Sequence, residues 1–96
     1  MKINITAIIK SKPETIEITK ALLTEMAVNS KQETACIQYD LHQSKTEPEY
    51  FFFHEIWDNE KDLELHNTKP YIQKFVDKAS EILAETPQIY KTNKIA

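Results

Sequence analysis

Apolar and polar positions alternate from Lys2 to Lys10, with Ile3, Ile5, Ala7 and Ile9 on one side and Asn4, Thr6 and Ile8 on the other. A period of two marks a β-strand with one face on a core. Ile8 leaves the second face less polar than contact with water would favour. Ser11-Lys12-Pro13-Glu14 has the S-x-x-E spacing of a capping box with proline in the first turn, so a helix is expected from there to Asn29 or Lys31. Ile16, Thr19, Leu22, Leu23, Met26 and Ala27 recur at helical spacing and form its buried stripe, in which Met26 reads as core filler. Alternation returns from Thr34 to His42, setting Ala35, Ile37, Tyr39 and Leu41 against Cys36, Gln38, Asp40 and His42.

The most apolar strand follows, from Tyr50 to Trp57. Phe51, Phe53, Glu55 and Trp57 share one face; Tyr50, Phe52, His54 and Ile56 share the other. The polar segment from Gln43 to Glu49, with Pro48, joins the two strands as an antiparallel hairpin with a long loop. Asp58 or Asn59 can cap a short helix ending near His66, and Thr68 with Pro70 opens another carrying Ile72, Phe75, Val76, Ala79 and Leu83. A last strand is expected from Thr86, with Ile89, Tyr90 and Ile95.

The order strand, helix, strand, strand, helix, strand is the ferredoxin-like βαββαβ arrangement, an α+β fold with an antiparallel sheet and its helices on one side. The other sheet face would carry Ile8, Tyr50, Phe52 and Ile56. A second copy of the chain about a two-fold axis is the simplest cover for such a face, so a homodimer is expected.

Composition narrows the function classes. The 96 residues suit one domain spanning 1–96, and 41% hydrophobic with 28% charged residues is the balance of a folded protein. A net charge of -3, with lysines scattered among acids, gives no field for phosphate backbones, so nucleic acid is not an expected partner. No apolar run approaches the ~20 residues of a bilayer span, so no membrane partner is expected. MKINITAIIK enters the first strand without a signal-peptide pattern, so a cytoplasmic protein starting at Met1 is expected. The single cysteine, Cys36, can form neither an internal disulfide nor a metal cage and reads as a small buried hydrophobe. With no glycine, left-handed turn positions must fall to Asn or Asp or be avoided, and a Gly-rich phosphate loop is excluded.

Glu33, Ala35, Cys36, Tyr39 and Asp40, then Phe53, Glu55 and Trp57, then His66, Thr68, Pro70, Tyr71 and Phe75 resemble, in order, the motifs of the antibiotic biosynthesis monooxygenase domain family. The likeness covers nearly the whole chain. It departs at Ala35, where the family commonly has glycine, and at Lys69, where a second histidine often stands beside the proline. The resemblance implies a dimeric α/β barrel of ferredoxin-like subunits. Relatives include oxygenases that act on quinols or anthrone-like polyphenols without metal or flavin. A small aromatic substrate and molecular oxygen are therefore the implied partners, and no cofactor or metal is expected.

On this resemblance His66 and Trp57 are the catalytic candidates, with Asn4, Tyr39, Glu55, Tyr71 and Phe75 as substrate-binding candidates. An unperturbed imidazole, with its pKa near ~6.5, can accept a phenolic proton at working pH. The plainer reading of His66 is a helix C-terminal residue interacting with free carbonyls. Trp57 offers stacking surface, and Glu55 an acceptor; a purely structural Glu55, if buried, must have a hydrogen-bond partner. Asn4 enters because some haem-degrading relatives use a first-strand asparagine, although the helix from Pro70 to Leu83 has no histidine to ligate iron in their manner. Two other readings stand beside the oxygenase. One is an isomerase or processing enzyme for a small phosphorylated signalling molecule, which would need lysines such as Lys69 and Lys74 in the pocket. The other is a non-catalytic ligand-binding dimeric domain, for which a closed, filled interior behind Trp57 is expected. A cavity reaching His66, with tyrosine hydroxyls inside, favours the oxygenase.

Overall fold

The computed structural model describes residues 1–96. Its elements are β1 (Ile3–Lys10), a 3₁₀ turn (Pro13–Thr15), α1 (Ile16–Ser30), β2 (Cys36–Gln43), β3 (Tyr50–Trp57), α2 (Glu60–His66), α3 (Pro70–Ile82) and β4 (Gln88–Thr92). The four strands form one antiparallel sheet in the order β2-β3-β1-β4. This is the ferredoxin-like α+β arrangement that the alternation predicts.

Period two decides which side of each strand is buried. Ile5, Ala7 and Ile9 of β1 and Phe51, Phe53 and Trp57 of β3 pack into one core with Leu23, Met26 and Ala27 of α1, Leu63 of α2 and Ile72, Phe75 and Ile82 of α3. The register sets Ile5 beside Glu55 and Glu55 beside Tyr39, so Glu55 sits between an apolar and an aromatic neighbour across the sheet. The even positions of β1 and β3 face the other way. Ile8, Tyr50, Phe52 and Ile56 are half-buried there, with no helix over them. No helix is long and apolar enough to cross a membrane.

Several local expectations change. Ser11 is no helix cap: it is wholly buried and continues the sheet, its N–H donating to the Glu49 carbonyl at 2.8 Å. Its hydroxyl lies 2.9 Å from the Thr19 hydroxyl, while Thr15 Oγ1 donates to the Ile82 carbonyl at 2.7 Å. These side chains therefore close the C-terminus of α3, whose last carbonyls have no partner within the helix, and α1 starts only after the 3₁₀ turn. In β2 a bulge falls between Cys36, opposite Trp57, and Gln38, opposite Ile56. The extra residue leaves Ile37 48% exposed instead of buried and puts half-buried Cys36 against the core. α3 ends at Ile82 because Leu83 turns extended and bridges to Ser11, and β4 stops short of Ile95. Val76 of α3, counted in its apolar set, is exposed. Asn59 does cap α2, its side-chain oxygen accepting from the Asp62 N–H at 2.9 Å.

The lack of glycine is met by avoidance. No residue has a positive φ, and the helices end on right-handed or extended residues, Lys31, Asn67 and Leu83. Phe51, 1% exposed on an inner strand of the sheet, tests how much stability the aromatic row carries. Phe51→Ala is expected to cost about 3–5 kcal/mol in urea unfolding with an unchanged denaturant slope.

Candidate functional site

The end of β3 and the end of α2 meet because the chain between them is short and capped by Asn59. Trp57, the last residue of the strand, and His66, the last of the helix, bring their ring centroids to 4.3 Å with planes inclined at 42°. Both are buried. Trp57 Nε1 donates to Glu55 Oε1 at 2.9 Å, which supplies the partner that a buried carboxyl requires. Tyr39, next to Glu55 across the sheet, sets its ring 5.7 Å from His66, 6.2 Å from Trp57 and 5.1 Å from Phe53.

The other side of His66 is held from the turn after α1. Nδ1 lies 2.8 Å from Glu33 Oε2, and the Tyr71 hydroxyl donates to the same oxygen. An ionised carboxylate only accepts, so the pairing assigns the ring proton to Nδ1. Nε2 makes no hydrogen bond within the protein and is not sealed off. It is the uncommitted nitrogen of a side chain that lines a cavity.

That cavity measures about 600 Å³ and lies between the sheet and the helices. Ile5, Ala7, Ile9 and Phe53 form its sheet wall; Met26, Leu63, Ile72 and Phe75 form its helix wall. Tyr39, Glu55 and His66 supply polar atoms, and the exposed Ile89, Lys91, Glu60 and Glu64 mark its solvent side. A second, polar depression of about 530 Å³ is lined by Glu33 and Tyr71 together with Asp58, Asp62 and Lys69. The two recesses have no lining residue in common, and the hydrogen bond from His66 to Glu33 links them.

Burial sets the titration of the cluster. It holds the His66 imidazole below its usual value, with Glu33 opposing, so the ring is neutral at neutral pH. It pushes Glu55 up to about 7 against the opposing Trp57 hydrogen bond. The Tyr39 phenol is raised by burial and then by Glu55, and the Tyr71 phenol by burial and then by Glu33. A neutral imidazole with a free nitrogen and a carboxyl that changes charge near pH 7 can act as a base and an acid in one cavity. Cys36 is not part of this chemistry: burial pushes its thiol up to about 11, against thiolate formation. No three His, Cys, Asp or Glu side chains converge on a point where a metal could be held.

His66, Tyr39, Glu55 and Phe75 thus share one cavity. Trp57 stands behind it, fully buried and touching His66, with its only donor committed to Glu55. Tyr71 lies outside, its hydroxyl engaged by Glu33. Asn4 is on the opposite sheet face, between Ile56 and Thr92, because the alternation of β1 that buries Ile5 turns its neighbour away. Glu33 was visible in the sequence only as part of a motif run, and Ile89 and Lys91 only as members of a last strand. The pairing of Glu33 with His66 joins positions 33 residues apart, and no local pattern carries it.

Residues 3–78 match the family described as antibiotic biosynthesis monooxygenase. An uncharacterised protein of Synechocystis, sll1783, is 38% identical over 88 residues, which make up 92% of this chain and 59% of that protein, so the chain spans about three-fifths of its relative's length. The crystal structure of PA3566 from Pseudomonas aeruginosa superposes with a TM-score of 0.93 at 25% identity, covering 99% of this chain and 95% of that one. A crystal structure named as an antibiotic biosynthesis monooxygenase has the same fold, with a TM-score of 0.90 at 23% identity and coverage of 98% and 99%. The chain belongs to the antibiotic biosynthesis monooxygenase family.

Proposed function

We propose that the protein is a monooxygenase acting with molecular oxygen, without metal or flavin, on a small electron-rich phenol of the quinol or anthrone type. The observation that carries this reading is the uncommitted Nε2 of His66 in an aromatic-walled cavity beside a carboxyl raised to about 7. Nε2 removes the acidic proton of the substrate and leaves an anion rich enough in electrons to reduce oxygen. Oxygen then bonds to the ring carbon as a peroxide. Loss of the second C–H proton breaks the O–O bond, and the oxygen that leaves takes up both protons as water. For an anthrone-type carbon the balance is CH₂ + O₂ → C=O + H₂O. The carbon supplies all four electrons, so no other reductant is consumed.

Glu55, when protonated, can donate to a substrate oxygen, and Trp57 holds its other oxygen in place. Tyr39 and Phe75 provide flat walls for a ring, and the apolar inner lining formed by Ile5, Ala7, Ile9 and Leu63 limits loss of a reactive peroxide to water. Asn4 and Tyr71 have no part in this substrate contact, given where they lie. The phosphorylated-substrate reading finds little support: Lys74 pairs with Glu25 on the exterior, Lys69 lines the other depression, and Lys91 is paired with Glu60. An open cavity reaching His66 also weighs against a filled, purely structural interior.

The same proposal makes the working unit a homodimer, with the sheet face of Ile8, Tyr50, Phe52 and Ile56 covered by a second copy.

Three outcomes are expected. Oxygen uptake with a panel of quinols and anthrones should show turnover whose kcat/KM falls on the acid side below ~6.5, since the neutral ring is the active form and burial lowers its pKa. His66→Ala should lose ~10²–10⁴-fold; no turnover on any compound by folded wild type would sink the proposal. Glu55 should also mark stability. A carboxyl raised from 4.5 to about 7 contributes stability that is complete below 4.5 and lost as pH rises through 7. Glu55→Gln should remove a pH-dependent difference on the order of 3 kcal/mol between those limits, read from denaturation at several pH values. Finally, sedimentation should find a dimer for the wild type and a monomer for Phe52→Glu.

A further inference from the structure

A base with two nitrogens works only if the right one is free. In a neutral imidazole the proton sits on Nδ1 or Nε2, and the site uses the second as acceptor only while the first carries the proton. No side chain that lines the cavity hydrogen-bonds to the ring, and Glu55 is bonded to Trp57, so nothing on that side enforces the choice. The choice is enforced from the polar depression, where Glu33 meets Nδ1 at 2.8 Å. Glu33 is itself fixed by the Tyr71 hydroxyl on the same oxygen and by its own N–H, which donates to the Ser30 carbonyl at 3.0 Å.

We propose that Glu33 is a positioning residue that selects the Nε2-basic tautomer of His66 and balances the imidazolium formed in turnover, and that Tyr71 serves by holding Glu33. This deepens the reading of His66 as the base and rests on it. In a low-polarity setting an imidazolium without a counter-charge is costly, and a carboxylate hydrogen-bonded to Nδ1 lowers that cost without itself taking the proton. The proton removed from substrate therefore stays on Nε2, facing the space where the peroxide forms, and can be returned there. Tyr71 is thereby reassigned: its hydroxyl reaches the base through Glu33 and does not touch substrate.

The charged and titratable groups around the ring are Glu33 on the turn after α1, Tyr39 on β2, Tyr71 on α3 and Lys69 just before that helix, whose charge opposes protonation of His66. Glu55, Glu60, Glu64 and Lys91 line the same cavity as the ring without a hydrogen bond to it, and Glu55 is bonded to Trp57. Of these, Glu33 is the acceptor bonded to the ring.

Glu33→Gln tests the proposal, because a glutamine amide can present N–H to Nδ1 and turn the ring to the wrong tautomer. Nitrogen NMR of labelled His66 should show the proton on Nδ1 in the wild type and on Nε2 in the variant. Oxygen uptake should fall in kcat by ~10²–10⁴-fold with KM nearly unchanged. The residual acid limb should move to lower pH, since Glu33 raises the pKa of the ring. Glu33→Asp, which keeps an acceptor, should retain the wild-type tautomer and recover part of kcat, and Tyr71→Phe should lose only about tenfold. A folded Glu33→Gln protein with the wild-type tautomer, or with kcat within about threefold of wild type while His66→Ala is inactive, overturns the proposal. If instead Glu33→Gln moves the ring proton but His66→Ala turns over normally, the tautomer assignment holds and the reading of His66 as base falls.

Discussion

A carboxyl buried in an aromatic row is the constraint on which this structure turns. β3 lies between two neighbours, β2 and β1, so its helix-facing side chains can be covered only by the helices. That side reads Phe51, Phe53, Glu55, Trp57, and all four are under a tenth exposed. Burying three aromatic side chains stabilises the fold by several kcal/mol, at ~1.5–3 kcal/mol for each large apolar group. The fourth position works against it, because a carboxyl taken out of water must be neutral or well bonded. Trp57, two residues along the same face, supplies the one hydrogen bond that reaches Glu55. The strand has to run as far as Trp57 for this, and α2 then has to turn back over the indole, which fixes His66 against it.

The site is accordingly divided by polarity. One recess is mainly apolar inside, where Tyr39, Glu55 and His66 enter, with Glu60, Glu64 and Lys91 at its solvent side, and the other collects Glu33, Asp58, Asp62 and Lys69. His66 couples them because it lines the first recess while its Nδ1 meets the Glu33 carboxylate of the second, and its Nε2 has no hydrogen-bond partner. Burial pushes the imidazole toward neutrality and the Glu55 carboxyl toward protonation, so both groups are driven to their uncharged forms by the same physical cause. Two uncharged groups in one cavity would tolerate the proposed aromatic ring far better than an ion pair would.

What was legible in the sequence was what repeats. The alternation of β1 and β3 named the buried side of the sheet residue by residue, and helical spacing named Leu23 and Met26 of the α1 core. The aromatic strand, the cap at Asn59 and the end of α2 together placed Trp57 near His66. The failures are contacts between distant segments. Ser11 carries the local spacing of a cap, yet its hydroxyl serves the far end of α3, which no local rule registers. A single extra residue in β2 moved Ile37 out and Cys36 in, and a bulge of one residue leaves no mark in a period-two pattern without a turn residue to flag it. Asn4 entered by resemblance alone, and the strand period that buries Ile5 sets it on the sheet face opposite the cavity.

The same period separates the two tasks proposed for β3. Odd positions, Phe51 to Trp57, wall and support the cavity; even positions, Tyr50 to Ile56, form the face a second copy would cover. Successive side chains on a strand point to opposite sides, so exchanging an even residue would alter the proposed association while the cavity wall keeps its atoms. β1 divides in the same way, with Ile5 lining the cavity and Ile8 on the outer face. A substrate pocket and a pairing surface can thus be carried by one thin sheet in a chain of 96 residues, because the layer between them is only the backbone of four strands.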